Sequence, residues 1–159
     1  MKHDHSLIGE HAIKPMEILL VEDGWTDARV TIYAVRRSQV HHRLTLVRSV
    51  SEAISFLRQE GIFARAPRPD LLLLDMMLPD GTGLDVLQFL SEAQEADFDL
   101  PRITTVVLTA SNDANLRVQC QDLCVSDFMN KPVREADFMR VIRDHKRLMV
   151  HTTPVLAGA

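Results

Sequence analysis

Apolar and polar positions come in alternating blocks along this chain. Ile18-Leu19-Leu20-Val21, Leu44-Thr45-Leu46-Val47, Leu71-Leu72-Leu73-Leu74 and Ile103 to Leu108 are apolar runs of strand length, and a weaker run passes through Val125 and Phe128. Between them, apolar residues recur every three or four positions, as on one face of a helix. The stripes are Ala28, Ile32 and Val35; Ala53, Ile54 and Leu57; Leu84, Leu87 and Leu90; Leu116, Cys120 and Leu123; and Phe138, Val141, Ile142, His145 and Met149. Strands alternating with helices in strict order predict an α/β fold, a doubly wound parallel sheet of five strands with five helices. Leu71 to Leu74 lacks polar alternation, as a strand covered on both faces does.

Local signals set the boundaries. Ser49 with Glu52 reads as a capping box opening the second helix, and Asn112 as the cap of the fourth. Gly81 and Gly83 end the loop after Asp75. Ala93 to Arg102, polar and closing on Pro101, reads as a connector. The last helix is expected from near Arg134 to near residue 150. This frames one domain over 16–149, an N-terminal extension 1–15 and a tail 150–159 too short to be an output domain.

Composition narrows the class. With 159 residues and a formal net charge of −4, the chain fits one core and has no global pull toward nucleic acid or anionic membrane. No apolar run reaches the roughly 20 residues of a membrane span, and the polar start carries no signal peptide. Cys120 and Cys124 are too few for a disulfide framework. They stand one helical turn apart, read as small packing residues on a shared helix face. Together these features place the chain in the cytoplasm. The His3-Asp4-His5 stretch reads as a solvated end rather than a metal tract.

Chemistry sits where the apolar runs stop. The first runs into Glu22-Asp23, the third into Asp75, the fourth into Thr109-Ala110, and the weak run arrives at Lys131-Pro132. Open parallel sheets bind ligands outside the carboxyl ends of their strands, where strand order reverses. Converging carboxylates there would repel unless a hard divalent cation neutralised them, and magnesium, which takes one or two carboxylates and keeps several waters, suits such a set. Asp75 is then a nucleophile able to accept a phosphoryl group. Lys131 supplies a point cation and Thr109 a hydroxyl for the added charge. Proline after Lys131 biases it toward extended geometry, and the sequence leaves open whether that bond is cis. Each residue alone has a plainer role as a cap, a strand threonine or a surface charge; the ordered set does not.

Val-Glu-Asp at 21–23, Leu-Asp at 74–75 with Leu78-Pro79-Asp80 and Gly83, Thr109-Ala110 and Lys131-Pro132 together resemble the receiver domain of two-component response regulators, over roughly residues 16–148. The resemblance implies a flavodoxin-like (βα)5 fold with strand order 2-1-3-4-5, Mg2+ dependence, and a phosphoryl group taken from a sensor histidine kinase. It implies Asp75 as phosphoacceptor and Asp23 as a metal ligand, with Glu22 acting on the metal through water and the Met77 backbone carbonyl completing the set. Thr109 and Lys131 would hold the phosphoryl group. Phe128, three before the lysine, occupies the usual place of an aromatic switch, although a plain core role fits it equally. Such a protein is not an enzyme beyond its own phosphorylation and dephosphorylation. It signals through a remodelled protein surface to a downstream protein that the sequence does not identify.

The long connector Gly61 to Leu74, with Ala66-Pro67-Arg68-Pro69-Asp70, resembles stand-alone receivers partnered with bacterial phytochromes. A homodimer of that kind would use the last helical face, although its apolar stripe is mostly needed for the core. Gly24-Trp25 departs from the family pattern, and Trp25 is expected to cover part of the site or meet a partner. Met77 and Ser111 occupy the two positions that tune phosphoryl loss; methionine cannot orient water by a strong hydrogen bond, so a long-lived aspartyl phosphate is expected. Three rivals differ in their signals. A hydrolase would carry an acid at Met77, and a non-reacting module would lack part of the set. A phosphorelay intermediate, passing the group to a histidine phosphotransfer protein, has the same residues.

Overall fold

The computed structural model describes residues 14–110 and 114–152. Strands β1 (Met16–Val21), β2 (His42–Val47), β3 (Leu71–Asp75), β6 (Thr104–Thr109) and β7 (Asp127–Asn130) form one sheet in the order β2-β1-β3-β6-β7. All its pairings are parallel. The order reverses between β1 and β3, the place where an open α/β sheet parts to admit a ligand. A two-stranded hairpin, β4 (Met77–Leu78) with β5 (Gly81–Thr82), lies in the loop after β3. Leaving that hairpin aside, the order is the 2-1-3-4-5 expected of a flavodoxin-like sheet.

Helices α1 (Trp25–Arg37), α2 (Val50–Arg58), α3 (Gly83–Ala96), α4 (Ala114–Gln119) and α5 (Glu135–Asp144) follow the five sheet strands in turn. Successive side chains of a strand point to opposite faces, so each central strand feeds two cores. Ile18, Leu20, Leu71, Leu73, Val106 and Leu108 pack with Ala28, Val35, Phe138, Val141 and Ile142 of α1 and α5. Leu19, Val21, Leu72, Leu74 and Val107 pack with Ala53, Phe56, Val86, Leu87 and Leu90 of α2 and α3. Leu71 to Leu74 are all fully buried, which is why that run carries no polar alternation.

Several boundaries differ from expectation. Helix α3 runs on to Ala96 through Gln94 and Glu95, good helix formers, so the connector begins only at Asp97. The last helix stops at Asp144: His145 is extended (φ −118, ψ 96), and Lys146–His151 continue as a 3-10 turn. The turn resets the phase of the stripe, burying Leu148 and leaving Met149 46 % exposed. His145 leaves the apolar stripe because its Nε2 meets the Asp127 carboxylate at 3.0 Å. Helix α4 ends before Cys120, so the cysteines do not share a helix face. Cys120 is buried, whereas the Cys124 thiol, in the following loop, donates to Gln94 Oε1. His3, His5, Asn112 and Ser111 lie outside the described residues.

Candidate functional site

The sheet register builds the site. Val21 pairs with Leu74, Asp75 with Leu108, and Thr109 with Asn130, so Glu22-Asp23, Asp75, Thr109 and Lys131 leave the sheet at one edge within two rows of each other. They line a cavity of about 650 Å3 together with Asp27, Met77 and Pro132. The Lys131 amide donates to the Thr109 carbonyl at 2.7 Å, which ties the two strand ends together, and the Lys131-Pro132 bond is cis.

Lys131 is the electrostatic centre. Its Nζ stands 2.6 Å from Glu22 Oε1, 3.1 Å from Asp75 Oδ1 and 3.3 Å from Asp27 Oδ2. Burial by itself would lower the Lys131 ammonium, but the contacts with Glu22 and Asp75 hold it above the ordinary value of 10.5. Burial raises the Glu22 carboxyl above its usual range, and the neighbouring Asp75 carboxylate pushes it the same way, against Lys131. Glu22 is only 2 % exposed. Its Oε2 accepts the Gly24 amide, while Oε1 has no well-aligned hydrogen-bond partner despite the ammonium beside it. Asp75 Oδ1 also accepts the Met76 amide at 2.9 Å, which fixes the rotamer of the carboxylate at the cavity wall.

Asp23 faces the solvent side of the cavity and is held by Arg48, whose Nη2 donates to its backbone carbonyl at 2.8 Å and to Oδ1 at 3.3 Å. Met77 is 82 % exposed at the cavity mouth. Phe128 is half-buried on the α2–α3 side of the sheet, with the Arg117 guanidinium 4.5 Å from its ring centroid. Oxygen atoms dominate the acidic wall, the donors that a hard cation such as Mg2+ or Ca2+ takes. Among the described residues no three acidic, imidazole or thiol groups converge into a closed cage.

The loop after Asp75 is braced from two directions. Asp80 accepts the Val50 and Ser51 amides at 2.7 and 3.0 Å, capping α2, and those amides hold its carboxyl below the usual range. A side chain at Gly83 would meet the Asp75 backbone carbonyl at 2.8 Å, so only glycine lets α3 start this close to the end of β3. Asp27 and Arg48 join the site in addition to the residues expected there. Arg48 carried the same signal as the others, a charged residue directly after the apolar run of β2. Asp27 carried a fainter one, an acid in the first turn of the helix that the acid pair opens.

The family model for the response regulator receiver domain matches residues 18–143. Response regulator Rcp1 of Synechocystis sp. is 32% identical over 144 residues, covering 91% of this chain and 95% of Rcp1. The crystal structure of the Mn2+-bound form of Rcp1 superposes with a TM-score of 0.65 at 32% identity, over 87% of this chain and 97% of that one. The bacteriophytochrome response regulator AtBRR superposes with a TM-score of 0.73 at 29% identity, over 90% of this chain and 99% of that one. The phosphorylated cyanobacterial phytochrome response regulator RcpA gives 0.65 at 35% identity, over 82% and 91%.

Proposed function

The chain belongs to the response regulator receiver family of two-component systems, and from that premise we propose that it accepts a phosphoryl group on Asp75 from a sensor histidine kinase. An Asp75 carboxylate oxygen attacks phosphorus, the bond from phosphorus to the kinase imidazole breaks, and the imidazole takes up a proton. The observation that carries this reading is Lys131 Nζ, 3.1 Å from Asp75 Oδ1 and locked to buried Glu22, in an open cavity. There the ammonium would meet the phosphoryl oxygens as they gain charge, without further reorganisation.

Asp23, Asp75 and the Met77 carbonyl would hold Mg2+, with Glu22 acting through water. The cation supplies charge neutralisation for the carboxylates and the incoming phosphoryl oxygens. Thr109 then donates to the modified Asp75, and Phe128 leaves its half-buried position beside Arg117, remodelling the surface of β7 and α5. Phe138, Val141 and Ile142 are already packed in the core, so a homodimer at the last helix would use the other side of α5. Likeness to AtBRR and RcpA supports a phytochrome-type kinase as donor. In this reading the protein catalyses only its own phosphorylation and dephosphorylation.

Incubation with acetyl phosphate and Mg2+, read by intact mass, tests the proposal. One phosphoryl group is expected on the wild type and none on Asp75→Asn. Equal labelling of both, or none of either, would overturn it.

A further inference from the structure

Arg48 follows directly on β2, beside β1, and reaches across to the end of β1. Besides its three hydrogen bonds to Asp23, two of them to the backbone carbonyl, its guanidinium lies over the Trp25 indole, 4.1 Å from the ring centroid. Trp25 is the sole tryptophan of the chain and is 60 % exposed, so the ring contributes little to either core. A flat indole is a good platform for a planar guanidinium. Stacking restricts a long side chain that would otherwise lose much rotamer freedom in holding Asp23.

Asp23 therefore has a fixed cation already in place. A divalent cation approaching the Asp23 carboxylate meets that guanidinium at close range, and the two cations repel. We propose that Trp25 and Arg48 gate the metal-binding carboxylate: the stacked guanidinium holds the Asp23 backbone carbonyl and Oδ1, and a divalent cation binding that carboxylate repels it and draws Arg48 off the indole. This rests on the reading of Asp23 as a metal ligand. Two consequences follow. The metal affinity is set below that of the bare acid pair, and metal loading is transmitted to an exposed ring at the start of α1.

Simple repulsion by the Arg48 charge would also weaken metal binding, but it would not require the indole. Calorimetric titration of Mg2+ into the full chain, with tryptophan emission followed in parallel, separates the two. Arg48→Gln is expected to tighten Mg2+ about two- to five-fold, the scale of one partly exposed charge pair. Trp25→Leu leaves the charge unchanged and is expected to tighten it about two- to three-fold through loss of the stack. In the wild type Mg2+ shifts Trp25 emission; in Arg48→Gln that shift disappears although the metal binds. Wild-type affinity in Trp25→Leu, or an emission shift retained in Arg48→Gln, would overturn the gate. Asp23→Asn serves as the control: if it abolishes Mg2+ binding while Trp25→Leu matches the wild type, only the gate fails. If it binds as the wild type does, Asp23 is not a ligand and both readings fall.

Discussion

Lys131 joins a role in stability to the chemistry proposed for it. Glu22 is buried beside it, so removing the ammonium leaves a desolvated carboxylate without a counter-charge. Lys131→Gln is expected to cost about 2–4 kcal/mol in urea unfolding, below the usual figure for breaking a fully buried pair because the lysine side chain is 14% exposed. Adding Glu22→Gln should restore part of the loss, and a double variant no more stable than the single one would contradict this account. Met77 enters only the chemistry proposed above. Its side chain is exposed at the cavity mouth and offers no donor to a water attacking the aspartyl phosphate. Met77→Asn is expected to speed phosphoryl loss by about three- to ten-fold, measured as decay of the phosphorylated mass. An unchanged decay rate would remove Met77 as a tuning position.

At the level of elements, the β7–α5 face is held by one polar knot. Asp127 accepts from Arg140 at 2.9 and 3.3 Å, meets His145 Nε2 at 3.0 Å and accepts the Phe128 amide, while Arg140 also reaches the Phe128 carbonyl. Burial alone would raise the Asp127 carboxyl, but Arg140 and His145 outweigh it and hold it below its ordinary 3.8. A depressed carboxylate contributes stability that is complete above its unfolded value and is lost as pH falls through the folded one. Asp127→Asn should therefore cost about 1–3 kcal/mol at neutral pH. Its stability should also fall less steeply than that of the wild type below about pH 4. Urea melts at a series of pH values check both. The apolar stripe of α5 showed none of this knot, because Asp127 and Arg140 stand 13 residues apart on different elements.

Across the whole molecule, the two ends of the described chain are tied by His151. Its Nδ1 meets the Lys14 carbonyl at 2.7 Å and its Nε2 the Asp70 carboxylate at 3.5 Å, while Asp70 accepts the Glu17 amide. His151→Ala is expected to cost about 1–2 kcal/mol and to speed hydrogen exchange at the start of β1; unchanged exchange there would show the tie to be incidental. No helix among the described residues is long and apolar enough to cross a membrane. The sequence by itself determined the alternation of strands and helices and the doubly buried β3, because burial writes a period into the residues. It also determined which polar groups end the strands, because a parallel sheet delivers every carboxyl end to one edge. Only the tertiary structure decided that Lys131 is shared by Glu22, Asp75 and Asp27, and that Asp23 is held by Arg48. It also decided that the last helix breaks at His145 and that Asp80 caps a helix 30 residues away. Those facts depend on distances between side chains remote in sequence, and no local pattern encodes them.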